Sequence, residues 1–509
     1  MIQDMLASVS RQVVIDGEKS EPFNVDIGVP QGAVLSPLLY SIFIQGLSDM
    51  LISEGFGLAV CGTKVPVLLY ADDIVLLAED ADELQAMLDA VSRYAVQWQF
   101  RFNPKKCNVV VVTTSKADKK AFDDTVWSFA DGSIAVTREY KYLGAEIGKI
   151  GRGQWNSCLH RIQKRASDKM NQLLHAAGGK HPLQFETSIH LYKTLVRPVM
   201  EYADAVWAAM ASNTALNELE SLQCKFGRSL LRCPGAAGEF VRAELGLCTM
   251  RSRVHTSAMR FFGKLCNMDP RRLTFKLFRA RCNEVDAGGG RNSWCAGIKS
   301  MLTAYGLQRH WRSGNAPEDW KSKIQSAVQS YERDRSEEEM KRLSSLNNYR
   351  QVKQENGVEE WMESRHPGVR VRLQLRSDTA PLMSRVGARA GIPKDMRLCL
   401  HCGRDQVEDV RHFACLCSRF DDIRTQCLDR LAATVKGHAS AFLADALRVR
   451  DDDNVLKLML GSAMFAGLPP AVHREADNIV LNGLKLMWRR RNKLWRVLTK
   501  PNDPWQLNV

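Results

Sequence analysis

The stretch Tyr70-Ala71-Asp72-Asp73 decides the fold of the N-terminal part of this chain. It lies between two apolar runs, residues 65–69 and 74–78. Apolar runs of this length around a short polar break predict the two strands of a β-hairpin. Such a hairpin would hold the two carboxylates at its tip, rigidly and in the open. The pair is therefore the first candidate for chemistry.

Adjacent carboxylates repel each other, and a divalent cation relieves that repulsion. Oxygen ligands suit Mg²⁺, which proteins usually hold with one or two carboxylates plus substrate phosphates. Asp72 and Asp73 therefore indicate two-metal phosphoryl or nucleotidyl transfer. A solvated Asp-Asp turn is the alternative, because aspartate is also common in turns.

A glycine-containing turn precedes the predicted hairpin. It reads Gly28-Val29-Pro30-Gln31-Gly32 and is followed by Leu35-Ser36-Pro37. Glycine lets a backbone approach a ligand or template closely, and Gln31 could hydrogen-bond to a base or sugar. The alternative is a simple strand-to-helix turn in which Ser36-Pro37 starts the helix.

Two further elements follow the hairpin. Asn103-x-x-Lys106 places an ammonium group near a predicted valine-rich strand, where it could protonate a departing pyrophosphate or be surface charge. Tyr142-Leu143-Gly144 reads as a strand end. Apolar spacing predicts helices over 35–51 and 81–98, with a capping box at the start of the second. The order predicts an α+β palm, with helices packed on one face of a sheet.

These elements, in this order, resemble the reverse transcriptases of non-LTR (LINE-type) retrotransposons. Gln31-Gly32-x-x-Leu35-Ser36-Pro37 resembles motif B of that family, and Tyr70-Ala71-Asp72-Asp73 resembles motif C. Asn103-x-x-Lys106 resembles motif D, and Tyr142-Leu143-Gly144 resembles the strand after it. Farther on, the segment from Leu191-Tyr192-Lys193 through Arg197-Pro198-x-x-Glu201-Tyr202 to Trp207 resembles the family's thumb signature.

The resemblance implies specific roles. Asp72 would be a Mg²⁺ ligand with Asp73 as its companion, and Lys106 would be a general acid. The residues expected at the substrate and template are Gln31, Gly32 and Tyr70. The partners would be an RNA template, a DNA primer or target, and dNTP, with no membrane. The family resemblance places such a protein in the nucleus or in a ribonucleoprotein.

One family element lacks a match. These polymerases take another catalytic aspartate from an earlier strand, motif A, and none of Asp4, Asp16 and Asp26 stands in a matching context. We therefore expect a chain truncated at its N-terminus that is not a competent polymerase by itself. The alternatives are a non-catalytic nucleic-acid-binding relic and a protein like a group II intron maturase.

From about residue 154 onward the spacing of apolar residues is helical, and Gly288-Gly289-Gly290 marks a linker. The predicted helices are 155–177, 184–210, 214–232, 239–267, 318–345 and 350–363. The predicted organisation is a palm at 1–150 (motifs B to E), a helical thumb at 151–283 and a linker with a charged, solvated helical connector at 284–390. A zinc knuckle at 391–425 and a basic helical tail at 426–509 complete it.

Five of the 14 cysteines fall between Cys399 and Cys427. The pattern Cys399-x₂-Cys402-x₉-His412-x₄-Cys417 has the ligand spacing of a structural, four-coordinate Zn²⁺ site. Cys415 is a rival for the fourth ligand. The similarity of this segment to the CCHC knuckle of non-LTR elements favours Cys417.

Charge is unevenly distributed along the chain. The net charge is +14, yet residues 1–100 contain 4 Lys and Arg against 14 Asp and Glu. A basic chain favours an acidic partner, with nucleic acid the leading candidate. Its contacts with phosphates must come mainly from residues downstream of residue 100. In the basic tail, apolar spacing favours Trp488 and Trp495 as core residues over stacking platforms, with the neighbouring arginines facing outward.

Overall fold

The computed structural model describes residues 10–24, 28–113, 122, 125–130, 132–147, 153–177 and 183–498. The chain divides into two compact units. Unit 1 comprises Met1–Gln154 and Met268–Arg291, and unit 2 comprises Trp155–Asn267 and Asn292–Val509. Asp4 and Asp26 lie outside the described residues. No helix in the described ranges is long and apolar enough to cross a membrane.

Unit 1 contains short strands that pair locally. They are β1 (Ser10–Arg11), β2 (Val14–Ile15), β3 (Glu18–Lys19), β4 (Phe23–Asn24), β5 (Leu58–Val60), β6 (Thr63–Val65), β7 (Val67–Tyr70), β8 (Asp73–Leu76), β9 (Asn108–Val110), β10 (Trp127–Phe129), β11 (Gly132–Thr137), β12 (Tyr140–Tyr142) and β13 (Ala145–Ile147). Five antiparallel pairs, β1–β4, β2–β3, β5–β6, β7–β8 and β12–β13, accompany one three-stranded sheet ordered β10-β11-β9. Within the described residues the predicted palm sheet is therefore divided into small sheets, and β7–β8 has no third strand.

Two long helices cover these strands, and a third follows later in the chain. They are α1 (Ser36–Ser53), α2 (Ala81–Gln97) and α10 (Leu273–Asp286). The core of unit 1 joins α1 and α2 to the hairpins and the three-stranded sheet, with Leu47, Met87 and Trp127 almost fully buried. The predicted apolar face of α1 is only partly buried, since Leu38 and Ile42 are 58% and 65% exposed.

The N-terminus of α2 differs in detail from the predicted capping box. The Asp80 carboxylate accepts the Glu83 backbone N–H at 2.8 Å, as predicted. The Glu83 carboxylate accepts N–H groups of Gly57 (2.8 Å) and Glu79 (2.7 Å), not that of Asp80. Glu83 thereby fixes the start of β5 to the start of α2. At Gly57, where φ is +112°, an added Cβ would lie 2.4 Å from the Pro66 nitrogen, so this approach requires glycine.

Unit 2 is helical in the residues described. Its helices are α3 (Asn156–Ala177), α4 (Phe185–Leu191), α5 (Arg197–Met200), α6 (Asp204–Trp207), α7 (Asn213–Leu231), α8 (Gly238–Leu245), α9 (Met250–Cys266), α11 (Trp294–Ala304), α12 (Gln308–Ser313), α13 (Trp320–Arg342), α14 (Tyr349–Val352), α15 (Gly368–Arg376), α16 (Met383–Arg389), α17 (Asp421–Val435), α18 (Ala441–Val449), α19 (Asp452–Leu460) and α20 (Pro470–Leu498).

The segment 184–210 is broken, although its spacing predicts one helix. A π-helical turn at Tyr192–Val196 leads into α5, and Pro198 stands in the first turn of that helix. Proline has no backbone N–H to donate, so a regular α-helix cannot continue through it. The Tyr192 ring is fully buried and stacks on Phe226 with ring centroids 4.5 Å apart. The break therefore places a tyrosine in the core of unit 2.

Other residues of the thumb signature also have structural roles. The Arg253 guanidinium donates through Nε and Nη2 to the two carboxylate oxygens of Glu201. The Trp207 indole N–H donates to the Tyr202 carbonyl at 2.7 Å, and the Trp207 side chain is fully buried. These residues of the signature thus stabilise the packing of this part of unit 2.

The charged connector is less solvated than its composition predicts. Lys353 and Arg376 share the carboxylates of Glu244 and Glu359, and the exposed fractions of the Lys353, Arg376 and Glu244 side chains are 4%, 0% and 0%. The predicted helix at 350–363 is absent, and α14 is followed by a separate 3₁₀ turn at Glu360–Glu363. A buried ion network, not one continuous helix, therefore organises this segment.

Helix α20 packs as its apolar spacing predicts, with one exception among its arginines. Leu484 is fully buried, and the Trp488 ring meets Phe413 edge-on with centroids 5.6 Å apart. Arg491 faces inward and is only 3% exposed, so the prediction that all the tail arginines face outward is wrong. The reason is a buried acidic partner, Glu408.

Candidate functional sites

The carboxylate hairpin forms as its sequence predicts. β7 and β8 pair antiparallel with Tyr70 opposite Asp73, which leaves Ala71 and Asp72 as a two-residue turn. Ala71 has a φ of +50°, a conformation that non-glycine residues rarely adopt. Strained turns of this kind cluster at functional sites. The first strand starts at Val67 because Pro66 interrupts the predicted run 65–69.

Both carboxylates of the hairpin tip are exposed, and so is Tyr70. Two tyrosines from other elements stand near them. Burial, together with the charge of Asp72, raises the pKa of Tyr40 on α1. Burial, with Asp73 and then Tyr70, raises the pKa of Tyr142 at the end of β12. Both phenol groups therefore stay protonated and lie within electrostatic range of the hairpin tip. Sequence reasoning placed no role on Tyr40, since a single tyrosine in a helix carries no distinctive signal.

The other predicted site residues of unit 1 lie in exposed loops. Gln31 and Gly32 occupy the turn before α1, where the buried Ser36 hydroxyl donates to the Pro30 carbonyl. Lys106 ends a 3₁₀ turn at Pro104–Lys106 and is exposed. Among the described residues, no hydrogen bond or ion pair joins Gln31 or Lys106 to either carboxylate of the hairpin.

The segment Tyr142-Leu143-Gly144 forms the turn of a hairpin, not the end of one strand. β12 and β13 pair antiparallel with Tyr142 opposite Ala145. Leu143 and Gly144 have φ values of +46° and +81°, which close the turn. This turn holds Tyr142 close enough to Asp73 to feel its charge.

In unit 2, the four predicted metal ligands converge. One donor atom from each of Cys399, Cys402, His412 and Cys417 lies within 4.8 Å of all the others. The Sγ atoms of Cys399 and Cys417 are 3.9 Å apart, and Cys402 Sγ is 3.5 Å from His412 Nε2. This set of three sulfurs and one nitrogen could hold one metal ion. The rival, Cys415, is buried outside the set.

The pKa values of two cysteines in the cluster shift in opposite directions. The hydrogen bond from Cys399 lowers the pKa of Cys417. The same contact, followed by burial, raises the pKa of Cys399 to about 12. Burial is the largest cause that raises the pKa of Cys415 to about 12.

A second layer of side chains orients these donors. Gln406 Oε1 lies 3.1 Å from His412 Nδ1, which leaves His412 Nε2 directed at the sulfurs. The Arg424 guanidinium donates to the carbonyls of Ala414 and Cys417, each at 3.0 Å. Second-layer contacts of this kind fix the ring orientation of a metal-binding histidine. The spacing of the sequence indicates the ligands but gives no sign of this layer.

The knuckle is fixed to helix α20 by a buried ion pair. Arg491 donates from Nε and Nη2 to the two oxygens of Glu408 at 2.6 and 2.8 Å. The side chains are 3% and 1% exposed. Glu408 also accepts the backbone N–H of Met383 at 2.8 Å. The metal-ligand segment, α16 and α20 thus meet at one carboxylate.

Comparison with known proteins agrees with the geometry of unit 1. Residues 1–147 match the family model described as reverse transcriptase (RNA-dependent DNA polymerase). The chain is 34% identical over 231 residues to the RNA-directed DNA polymerase from mobile element jockey of Drosophila funebris, covering 44% of this chain and 24% of that protein. It is 25% identical over 297 residues to the jockey polymerase of Drosophila melanogaster, covering 56% and 31%.

A second kind of retrotransposon also matches. The chain is 33% identical over 306 residues to the retrovirus-related Pol polyprotein from type-2 retrotransposable element R2DM of Drosophila melanogaster, covering 58% of this chain and 27% of that protein. The chain thus spans about a quarter to a third of the length of these relatives. The family match coincides with the part of the chain that contains the Asp72-Asp73 hairpin. The chain therefore carries a reverse transcriptase domain of the type found in non-LTR retrotransposons.

Proposed function

We propose that this chain supplies the carboxylate hairpin of an RNA-directed DNA polymerase. The observation that carries the proposal is the two-residue hairpin turn that leaves the Asp72 and Asp73 carboxylates exposed side by side. Carboxylates held this way suit Mg²⁺ together with the phosphates of an incoming dNTP. Bound metal ions would lower the charge barrier to attack by the primer 3′-hydroxyl.

The chain's own residues have distinct parts in this proposal. Asp72 holds metal, and Asp73 is its companion on the adjoining strand. Lys106, exposed on its 3₁₀ turn, is the proton donor to departing pyrophosphate. The exposed turn at Gln31 and Gly32 meets the template or the nucleotide, and Tyr70 meets the nucleotide from the strand end.

We also propose that the cysteine–histidine cluster holds Zn²⁺ as a structural ion. Tetrahedral Zn²⁺ places two sulfur ligands about 3.8 Å apart, and a sulfur and a nitrogen about 3.5 Å apart. The observed separations are 3.9 Å for Cys399 and Cys417, and 3.5 Å for Cys402 and His412. All four positions are protein side chains, which leaves no position for a reacting water.

The remaining domain assignments belong to the same proposal. Residues 151–283 act as a thumb, 284–390 as connector, 391–425 as zinc knuckle and 426–509 as basic tail. Their partners are the RNA template and the DNA primer or target. The charge pattern supports this division, because the net positive charge lies entirely downstream of residue 100.

The test of polymerase function is primer extension on an RNA template. Because motif A is unmatched in this chain, the assay uses an extended chain. In it, the part of the Drosophila funebris jockey polymerase that precedes the matched region is joined to residue 1. We expect Mg²⁺-dependent extension that Asp72→Asn abolishes and that Asp89→Asn, an exposed carboxylate change on α2, leaves intact. Extension that survives Asp72→Asn would reject the proposal.

Metal analysis tests the zinc assignment separately. The 509-residue chain should contain one equivalent of zinc, and Cys402→Ser should lose it. The matched control is Cys415→Ser, a buried cysteine outside the ligand set, which should retain the metal. Retention of zinc by Cys402→Ser would reject the ligand set, and loss of zinc in Cys415→Ser would make Cys415 a ligand.

A further inference from the structure

Unit 2 contains a cleft that is separate from the knuckle ligands. It has a volume of about 540 Å³ and lies where α7 ends, α4 begins and α15 begins. Its size is within the usual range of small-ligand sites, about 300–1,000 Å³. Its described walls combine an apolar floor with a basic rim. The rim residues are Arg232, Arg365, His366 and Arg370.

The rim arginines are free to bind a ligand. Arg232, Arg365 and Arg370 are exposed, and none has an ion-pair partner among the described residues. The acidic residue among the described lining residues is Glu363. Its two oxygens are already used, because they accept the backbone N–H groups of Phe185 (3.0 Å) and Glu186 (2.7 Å). The described lining residues therefore carry a net charge of +2, from three arginines against one glutamate.

Helix α20 adds to this charge. Burial lowers the pKa of His366, and the positive charges of Lys485 and Arg489 lower it further. His366 Nδ1 accepts the Gly368 backbone N–H at 3.1 Å, which leaves Nε2 as the donor of a neutral ring. Two cations of α20 thus act electrostatically on His366, a residue that lines the cleft.

The floor is apolar and includes an aromatic ring. Phe185 is half-buried at the first turn of α4, beside the half-buried Leu174 and Leu183. A cleft lined by both an aromatic ring and cationic side chains can bind unpaired bases by stacking and their phosphates by charge. A base-paired duplex cannot present a base to such a floor.

We infer that this cleft binds a single strand of nucleic acid, with a base on the Phe185 floor and adjoining phosphates on Arg365 and Arg370. The surface lies wholly within unit 2 and is distinct from both candidate sites described above. It rests on the proposed function only for the choice of nucleic acid as the polyanion. An acidic peptide is the competing occupant that the experiment must exclude.

The experiment measures strand binding by the 509-residue chain without added Mg²⁺. Fluorescence anisotropy follows a labelled 12-nucleotide oligothymidylate, the matching oligouridylate and a duplex of equal length over a series of salt concentrations. The cleft variant is Arg365→Ala/Arg370→Ala. The matched control is Arg312→Ala/Arg333→Ala, which removes two exposed arginines of unit 2 that also lack ion-pair partners among the described residues.

Each phosphate contact to a single strand contributes about 0.7 to the slope of log affinity against log salt concentration. We expect the cleft variant to lower this slope by about 1.4 and the control to leave it unchanged. Phe185→Ala should weaken binding about fivefold or more without changing the slope, because it removes stacking but no charge. A thermal melt of each variant verifies that the fold is retained.

Equal losses in the cleft and control variants would overturn the inference, and so would equal effects on duplex and single strand. Displacement of the oligonucleotide by polyglutamate as readily as by unlabelled strand would assign the cleft to an acidic peptide and overturn it too. A preference for the DNA or the RNA oligomer that is lost in the cleft variant supports the inference and shows which sugar, deoxyribose or ribose, the cleft prefers. Strand binding that depends on Arg365 and Arg370 supports the inference even if the polymerase proposal fails. Polymerase activity together with strand binding that is unchanged in Arg365→Ala/Arg370→Ala overturns this inference and leaves the proposed function intact.

Discussion

The ion pair between Arg491 and Glu408 should be the main stabilising contact between helix α20 and the segment that contains the four candidate metal ligands. Its side chains are 3% and 1% exposed, and both Glu408 oxygens accept from the guanidinium. Removal of one partner of a buried pair leaves an uncompensated charge, which costs about 3–5 kcal/mol. Arg491→Met should therefore lower the local free energy of unfolding by that amount.

The neighbouring residue offers a matched control. Arg490 pairs with Asp422, but those side chains are 39% and 66% exposed. Exposed pairs contribute about 0–1 kcal/mol because water and salt screen them. Arg490→Met should therefore have little effect, although it removes the same residue type one position away on the same helix.

Native-state hydrogen exchange followed by mass spectrometry can separate the two. Peptides from α17 and α20 should exchange about 10²- to 10⁴-fold faster in Arg491→Met, given that 1.4 kcal/mol corresponds to a factor of ten. The double change Arg491→Met/Glu408→Gln should recover most of the loss, since it removes both charges and keeps an acceptor for Met383. Equal exchange in Arg490→Met and Arg491→Met, or no recovery in the double variant, would refute the reasoning.

Three further predictions concern other parts of the chain. Gly57→Ala should cost clearly more stability than Gly55→Ala in thermal unfolding, because both have positive φ but only Gly57 has backbone 2.4 Å from the added Cβ. The hydrogen bond with Asp477 raises the pKa of His473 above its ordinary value of 6.5. Protonated His473 therefore stabilises the fold fully below pH 6.5, and this stabilisation is lost as the pH rises through the raised pKa. A denaturation series across this range should show that loss, and His473→Gln should remove it. Chelation of zinc should lower the melting temperature of the wild-type chain and leave that of Cys402→Ser unchanged, since structural zinc contributes directly to folding free energy.

The local features of the candidate sites could be predicted from the sequence. The Asp72-Asp73 hairpin depends on two neighbouring apolar runs, and the knuckle ligands depend on cysteine spacing. Both are set by residues close together along the chain. The approach of Tyr40 and Tyr142 to the hairpin depends on packing between elements, which no short pattern encodes.

The burial of charged residues could not be predicted from the sequence. Arg491 belongs to a basic run, and such runs are usually solvated, so its burial could not be inferred from the run itself. Its partner Glu408 is 83 positions away in sequence. Similarly, Lys353 stands in a segment whose composition predicts a solvated connector, yet it is held between Glu244 and Glu359. Pairing at long sequence separation is a property of the fold, and composition alone does not reveal it.

The central claim is that Asp72 binds a catalytic metal ion, and a metal-specificity exchange tests it most directly. In the extended chain, Asp72→Cys replaces a hard oxygen ligand with a sulfur that Mg²⁺ binds poorly and softer ions accept. Single-turnover primer extension should be lost with Mg²⁺ and partly restored by Mn²⁺ or Cd²⁺, whereas Asp89→Cys should extend equally with Mg²⁺. Full activity of Asp72→Cys with Mg²⁺, or a loss that no softer ion restores while Asp89→Cys remains active, would contradict the account.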